Sequence, residues 1–337
     1  MKRAFFLTLG GIGLGTWAVS RLVRSSYSFA GKSVVITGGS RGLGLTIARL
    51  LAAEGARLAL FARDEKELNE ACDELRKIGG EAIGVPCDLL DRGQSLGAIE
   101  TVMDRYGAID VLINNAGIIE IGPLDNMRRA DYEKAMALHF WAPFNLIQQV
   151  VPHMRRAGGG RVVNIASIGG KVAVPHMAPY SMSKFALVGL SDAFRAELAR
   201  DGISVTTVTP GLMRTGSQVH AKFKGNHGAE YSWFALSASL PFTSVKAERA
   251  AAKIVAACRC GQASLTIGLH ARLAIIGNAL FPSLTGETMK LINRMLPSPV
   301  GVEGDEIMSG EEAREKSYLP DWLAKFGESA SAQHNES

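Results

Sequence analysis

Cysteine is scarce in this chain, with four among 337 residues, at Cys72, Cys87, Cys258 and Cys260. Cys258-Arg259-Cys260 is too tight to chelate zinc without two further ligands, and no Cys/His pair stands near it, so no metal site is expected. The thiols read as buried or idle, in a reducing compartment. Charge is thin as well: 20% of residues are charged against 47% apolar, a balance that excludes disorder and favours a large core. The net charge of +5 is scattered along the chain. No dense Lys/Arg block is interleaved with aromatics, so no nucleic-acid partner is expected. Internal repeats are also missing.

One long run without charge is present. Ala4 to Ser20 is mostly apolar, with Lys2 and Arg3 before it and Arg21 and Arg24 after it. At about 1.5 Å per residue it is just long enough to cross a bilayer. Gly11 and Gly15 are spaced for close helix–helix approach, although glycine also weakens a helix. Ala18-Val19-Ser20 carries the small residues a signal peptidase requires, so a cleaved signal, and hence a secreted enzyme, is the alternative. A retained membrane anchor is the favoured reading. The charge asymmetry around the run does not set its orientation.

From Lys32 onward, short apolar runs alternate with amphipathic stretches. The seven strand candidates are Ser33–Thr37, Arg57–Ala62, Glu81–Pro86, Val111–Asn114, Arg161–Ala166, Ser204–Thr209 and Ser264–Gly268. Continuous runs such as Val34-Val35-Ile36 predict strands covered on both faces, as in a parallel sheet. Helices are expected over Leu43–Glu54, Glu65–Ile78, Gln94–Tyr106, Tyr132–Arg156, Tyr180–Asp201 and Ala247–Cys258. Asp64 with Glu67 forms a capping-box pattern, and Gly79-Gly80 ends the helix that it opens. The pattern predicts an α/β, doubly wound, seven-stranded parallel sheet with helices on both faces, over residues 30–268. Residues 1–29 are set apart as the hydrophobic segment and 269–337 as an apolar, amphipathic extension with a polar tail. In that extension Pro282 and Arg272 argue against a second span, and packing on the domain or on a membrane surface is expected.

Thr37-Gly38-Gly39-Ser40-Arg41-Gly42-Leu43-Gly44 closes the first strand and opens a helix. Such a turn offers unpaired backbone N–H groups and a positive helix end to a pyrophosphate. Its spacing differs from the usual Gly-x-Gly-x-x-Gly fingerprint, and an ordinary glycine-rich turn is the other reading. Where an acidic residue would grip the ribose of NAD, at the end of the second strand, this chain has Ala62 and then Arg63. Arg63 and Arg41 are two guanidiniums suited to a 2′-phosphate, so NADP(H) is the expected cofactor. Tyr180 and Lys184 lie one helical turn apart, where an ammonium favours the phenolate and draws its pKa toward neutrality. Ser167, at the end of the fifth strand, could donate to the same substrate oxygen.

Taken in order, Thr37-Gly-x-x-x-Gly-x-Gly44, Asp88, Asn114-Asn115-Ala116-Gly117, Ser167, Tyr180-x-x-x-Lys184 and Pro210-Gly211 resemble the short-chain dehydrogenase/reductase family over residues 30–268. The resemblance implies that Tyr180 is the catalytic acid/base, that Lys184 lowers its pKa and holds the nicotinamide ribose, and that Ser167 orients the carbonyl. It places Asp88 and Leu89 at the adenine and Asn115 against the cofactor, with Asn114 more structural. Pro210, Gly211, Met213 and Thr215 would surround the nicotinamide. It also implies a homodimer or homotetramer packed through the helices that carry Tyr132–Arg156 and Tyr180–Asp201. One departure is His139, where the family usually has an asparagine that holds a proton-relaying water. A histidine there is read either as a pH-sensitive relay or as a helix-packing residue.

Leu212, Met213, Val219, Phe223, Trp233, Phe234, Leu236 and Phe242 fall in the family's specificity segment and suggest a lipophilic ketone, aldehyde or alcohol. They could equally fill a core. The expectation is a membrane-associated, NADP(H)-dependent carbonyl reductase or alcohol dehydrogenase whose catalytic domain faces the cytosol. The alternative is an NADP(H)-binding sensor or scaffold of the same fold with little or no turnover.

Overall fold

The structure is a computed structural model that describes residues 27–214, 219–239 and 244–318. The Ala4–Ser20 run, Thr215, Phe242 and the polar tail therefore lie outside the described residues. The central strands are β1 (Ser33–Thr37), β2 (Arg57–Ala62), β3 (Glu81–Pro86), β4 (Val111–Asn114), β5 (Gly160–Ile165), β6 (Ile203–Pro210) and β7 (Ser264–Ile267). All pair in parallel, in the order β3-β2-β1-β4-β5-β6-β7. The order reverses direction between β1 and β4, and that switch point opens a crevice at the carboxyl ends of the strands.

The helices are α1 (Gly42–Ala53), α2 (Glu65–Lys77), α3 (Arg92–Tyr106), α4 (Arg129–Met136), α5 (Ala142–Arg156), α6 (Ala178–Leu198), α7 (His227–Ser239), α8 (Ala247–Arg259), α9 (Leu269–Leu280), α10 (Pro282–Met295) and α11 (Gly310–Glu315). Both faces of the sheet are covered. Val34, Ile36, Leu58, Leu60, Val111 and Ile113 pack with Leu45, Ile47 and Ile254, on the side of α1 and α8. Their neighbours Val35, Ala59, Phe61 and Leu112 point the other way, to Ile99, Val102, Leu146 and Val150 of α3 and α5. Period-2 alternation between two cores is the physical reason the runs are apolar throughout.

Several boundaries differ from expectation for visible reasons. The predicted helix Tyr132–Arg156 is α4, a π-helical turn over Ala137–Trp141, and α5. Helix α6 begins at Ala178, two residues before Tyr180, with Pro179 in its first turn. Asp64 caps α2 by accepting from the Glu67 amide, but the Glu67 carboxylate does not return to complete the box. It is held elsewhere, by Ser40 and Arg41.

A smaller lobe sits over the carboxyl ends of the strands. Glu120–Ile121 pairs in parallel with Lys222–Phe223, which pairs antiparallel with Met308–Ser309. Phe223, Tyr231, Phe234 and Ala313 form its core, so Phe223 is a packing residue and not a wall of the crevice. The extension past Gly268 thus does two things: α9 and α10 run along the surface, while residues 300–316 close the lobe.

Candidate active site

One continuous cavity of about 1210 Å³ runs along the carboxyl edge of the sheet from Arg63 and Asp88 to Trp233 and Met295. Its floor is the first βα turn. Gly38 sits at φ +60°, and a Cβ there would lie 3.0 Å from the Ala116 Cα. A Cβ on Gly44 would collide with the Gly38 carbonyl and lie 2.7 Å from the Asn115 side-chain nitrogen. That close approach lets Asn115 Nδ2 donate to the carbonyls of Thr37 (3.1 Å) and Gly38 (3.0 Å), which pins the turn to the end of β4. Helix α1 has no side-chain cap, whereas Asp64 and Asp91 cap α2 and α3. Its first-turn amides are left facing the cavity, a donor set suited to an anion.

Of the predicted cofactor residues, Gly38, Ser40, Arg41, Gly42, Leu43, Arg63, Asp88, Leu89, Asn115, Tyr180, Lys184, Pro210, Gly211 and Met213 line this cavity. Thr37 and Gly44 do not. The Thr37 hydroxyl is occupied by the amides of Asn115 (2.9 Å) and Ala116 (3.0 Å), so its work is to join β1 to β4. Asn114 is likewise structural, donating to Asn164 Oδ1 at 2.8 Å inside the sheet. Arg63 is exposed and pairs with no carboxylate among the described residues. Arg41 is not free: its Nη1 donates to Glu67 Oε1 at 2.7 Å, and Ser40 Oγ donates to the other oxygen at 2.9 Å.

Ser167, Tyr180, Lys184 and His139 meet on the opposite wall. Ser167 lies two residues past β5, where its hydroxyl accepts from the Gly169 amide at 3.1 Å, and its interaction with the Tyr180 phenol acts to lower the phenol's pKa. Burial nevertheless dominates and raises it above its ordinary value. The expected drop toward neutrality under Lys184 is therefore not what this geometry produces. The ammonium, 5.7 Å from the ring centre, donates to the Ile165 carbonyl at 2.9 Å. Burial draws Lys184 itself down to about 7.

For His139 the geometry favours the helix-packing reading over the relay. Its Nε2 accepts from the Ile118 amide at 3.1 Å, so Nδ1 carries the proton and donates to Ser183 Oγ at 2.7 Å. Burial first, and the Lys184 charge second, hold its pKa well below the usual histidine range. A neutral imidazole with both nitrogens bonded to protein locks the π-turn to α6 and is not a pH-sensitive relay near neutrality. Its ring stands edge-on to Tyr180, 5.5 Å between centres.

The family profile of the short chain dehydrogenases matches residues 32–224, which span the glycine turn, Ser167 and the Tyr180–Lys184 pair. The chain belongs to the short-chain dehydrogenase family. Among its relatives in this family, the ketoacyl reductase HetN of Nostoc sp. is 38% identical over 196 residues, covering 58% of this chain and 68% of that protein. Among solved members, L-sorbose reductase from Gluconobacter frateurii, complexed with NADPH and L-sorbose, has a TM-score of 0.64 at 27% identity. The match covers 72% of this chain and 96% of that one. Actinorhodin polyketide ketoreductase with NADPH, solved as a point variant, has a TM-score of 0.63 at 32% identity, covering 70% and 95%.

Several residues of this short-chain dehydrogenase line the cavity without a sequence signal. Glu67 reads as a helix cap, and its place beside Arg41 depends on how β1 and β2 abut. Lys134 reaches the cavity from α4, paired with buried Glu120 at 2.7 Å. His270, Ile292, Met295 and Leu296 arrive from α9, α10 and the residue after α10, past the family match. His270 packs on Gly211, and its Nε2 is buried with no hydrogen-bond partner among the described residues.

Proposed function

We propose that this protein is an NADP(H)-dependent oxidoreductase that interconverts a lipophilic ketone or aldehyde and its alcohol. The observation that carries the reading is one continuous cavity with an uncapped, glycine-lined helix start on one side and Ser167, Tyr180 and Lys184 on the other. The residues present fit a dinucleotide. Gly38 and Gly42 line the cavity at the start of α1, and the exposed Arg63 guanidinium that also lines it is a cation suited to a 2′-phosphate. The NADPH bound in two solved relatives and the ketoacyl reductase name of a third support the same assignment.

In this mechanism the glycine turn and the α1 amides would hold the pyrophosphate, Arg63 the 2′-phosphate, Asp88 and Leu89 the adenine end, and Pro210, Gly211 and Met213 the nicotinamide end. The bound cofactor supplies a hydride for the carbonyl carbon. Ser167 Oγ and the Tyr180 phenol both address the carbonyl oxygen, and Tyr180 delivers the proton to it. A raised phenol pKa keeps that proton in place at neutral pH until negative charge develops on the oxygen. Lys184 stabilises the phenolate that results and is anchored for this by the Ile165 carbonyl. Leu212, Trp233, Phe234 and Leu236 give the substrate end an apolar wall, which favours a lipophilic carbonyl.

NADPH oxidation over a panel of ketones, aldehydes and ketoacyl thioesters tests this, with Tyr180→Phe as control. Turnover that disappears in Tyr180→Phe while NADPH affinity persists is expected. Tight NADPH binding without turnover on any member would favour a sensor or scaffold. Arg63→Asp is expected to reduce the preference for NADPH over NADH by about ten-fold or more, on the order of the 1.4 kcal/mol that one charge-assisted contact contributes. An unchanged preference would remove Arg63 from the phosphate site.

A further inference from the structure

We propose that α9 and α10 dock this protein on the surface of a lipid bilayer, with the substrate end of the cavity beside the lipid. Helix α9 buries only Ala271, and α10 buries no residue at all. Leu269 is 71% exposed, Leu273 61%, Leu280 65%, Leu284 65%, Leu291 60% and Met295 80%. These residues are not scattered. Leu269, Leu273, Ile276 and Leu280 follow one another at helical spacing along one face of α9, and Leu284, Leu291 and Met295 do so along α10. An amphipathic helix of a water-surrounded domain turns such a stripe inward; here both stripes face outward. Patches this long mark an interaction surface, because each leucine gains about 1.5–3 kcal/mol on leaving water.

Three observations select lipid as the occupant. Arg272, Lys290 and Arg294 stand among the apolar residues with one acid between Leu269 and Leu296, Glu287, which pairs with Lys290 at 2.7 Å, and the remaining positive charge suits anionic headgroups. A second copy of the chain would bring the same positive face against itself. The apolar surface also continues into the cavity: Ile292, Met295 and Leu296 line it together with Trp233 and Leu236, so a lipophilic molecule would pass from one to the other without crossing water. Finally, the sequence carries the uncharged Ala4–Ser20 run.

The test uses full-length protein bound to vesicles of phosphatidylcholine and phosphatidylglycerol, with a nitroxide at Leu280→Cys or Leu291→Cys in a Cys260→Ser background. Ile78→Cys, exposed on the far edge of the sheet, is the control. Labels at 280 and 291 are expected to gain oxygen accessibility and lose contact with a water-soluble nickel reagent several-fold on vesicle binding, while the label at 78 stays aqueous. Labels at 280 and 291 that remain aqueous on vesicle-bound protein overturn the proposal. So does shielding that is already present without lipid, which a dimer mass would assign to a second copy and a monomer mass to another part of the chain. None of these readouts depends on catalysis.

Discussion

Burial acts in opposite directions on two titratable groups of the wall opposite the glycine turn, raising the Tyr180 phenol and lowering the Lys184 ammonium to about 7. His139 is part of the same balance, since a second cation beside Lys184 would be costly and its imidazole is held neutral. The sign of the resulting pH dependence follows. The folded-state pKa of His139 lies below the unfolded value near 6.5, so the unfolded chain binds more protons in that window and stability falls as pH drops below about 6.5. Single-site linkage bounds this slope at about 1.4 kcal/mol per pH unit. His139→Asn is expected to remove that part of the acid loss, seen as a flatter dependence of the denaturation midpoint between about pH 6.5 and 5. Parallel slopes for the two proteins would show that His139 takes up its proton in the fold. Glu67 makes a second residue-scale case. Its carboxylate neutralises Arg41 at 2.7 Å and places negative charge beside the 2′-phosphate site. Glu67→Gln should tighten NADPH several-fold while leaving NADH nearly unchanged, as read by fluorescence titration. Equal changes for both cofactors would mean that Glu67 acts only on the turn.

At the scale of elements, one buried cluster decides how the substrate wall is held. Glu230 on α7 is fully buried. It accepts from Trp233 Nε1 at 2.7 Å and meets His176 Nδ1 at 2.8 Å. His176 sits at φ +61°, a conformation rarely taken by non-glycine residues, in the loop that leads into α6 and Tyr180. The cluster therefore ties the apolar wall to the catalytic helix. Glu230→Leu strands two polar groups and should cost about 3–5 kcal/mol, measured by denaturant unfolding, with a red shift of Trp233 emission. A loss below about 1 kcal/mol, the range of an exposed pair, would show the clamp to be dispensable. The same scale separates what could be read in advance from what could not. Val34-Val35-Ile36 announces a strand covered on both faces because two cores each take alternate residues. The Tyr180 and Lys184 pair announces itself through helical spacing. The π-turn at His139 leaves no mark, because no proline or glycine between Ala137 and Trp141 interrupts the helical run. Arg41 could be recognised as a cation near the ribose but not as Glu67's partner, since that contact joins two βα units.

For the whole molecule, the two large cores and the small lobe are separate bodies of packing. No described residue beyond Ile267 is fully buried in either core that flanks the sheet. The lobe, by contrast, depends on the far end of the chain. Met308–Ser309 supplies its third strand, and Ala313 enters its core beside Phe223 and Phe234. Asn126 Nδ2 donates to the carbonyls of Val300 (3.1 Å) and Gly301 (3.2 Å) and to Asp305 Oδ1 (3.0 Å). Arg128 adds an ion pair to Asp305, and the Asn126 hydrogen bond first, with Arg128 after it, holds that carboxyl below its ordinary range. These contacts fix the chain just ahead of α4, the helix from which Lys134 reaches the cavity. A chain that ends at Pro299 should therefore keep its NADPH affinity and its main unfolding transition, because the glycine turn and both large cores are untouched. It should lose most of its kcat/KM, because Phe223 and Phe234 lose Ala313 and Met308 from their core and α7 is then held mainly by the Glu230–His176 cluster. Joint loss of NADPH binding and of the main transition would show instead that the carboxyl-terminal segment is needed by the sheet, and that the lobe and the nucleotide half fold as one unit.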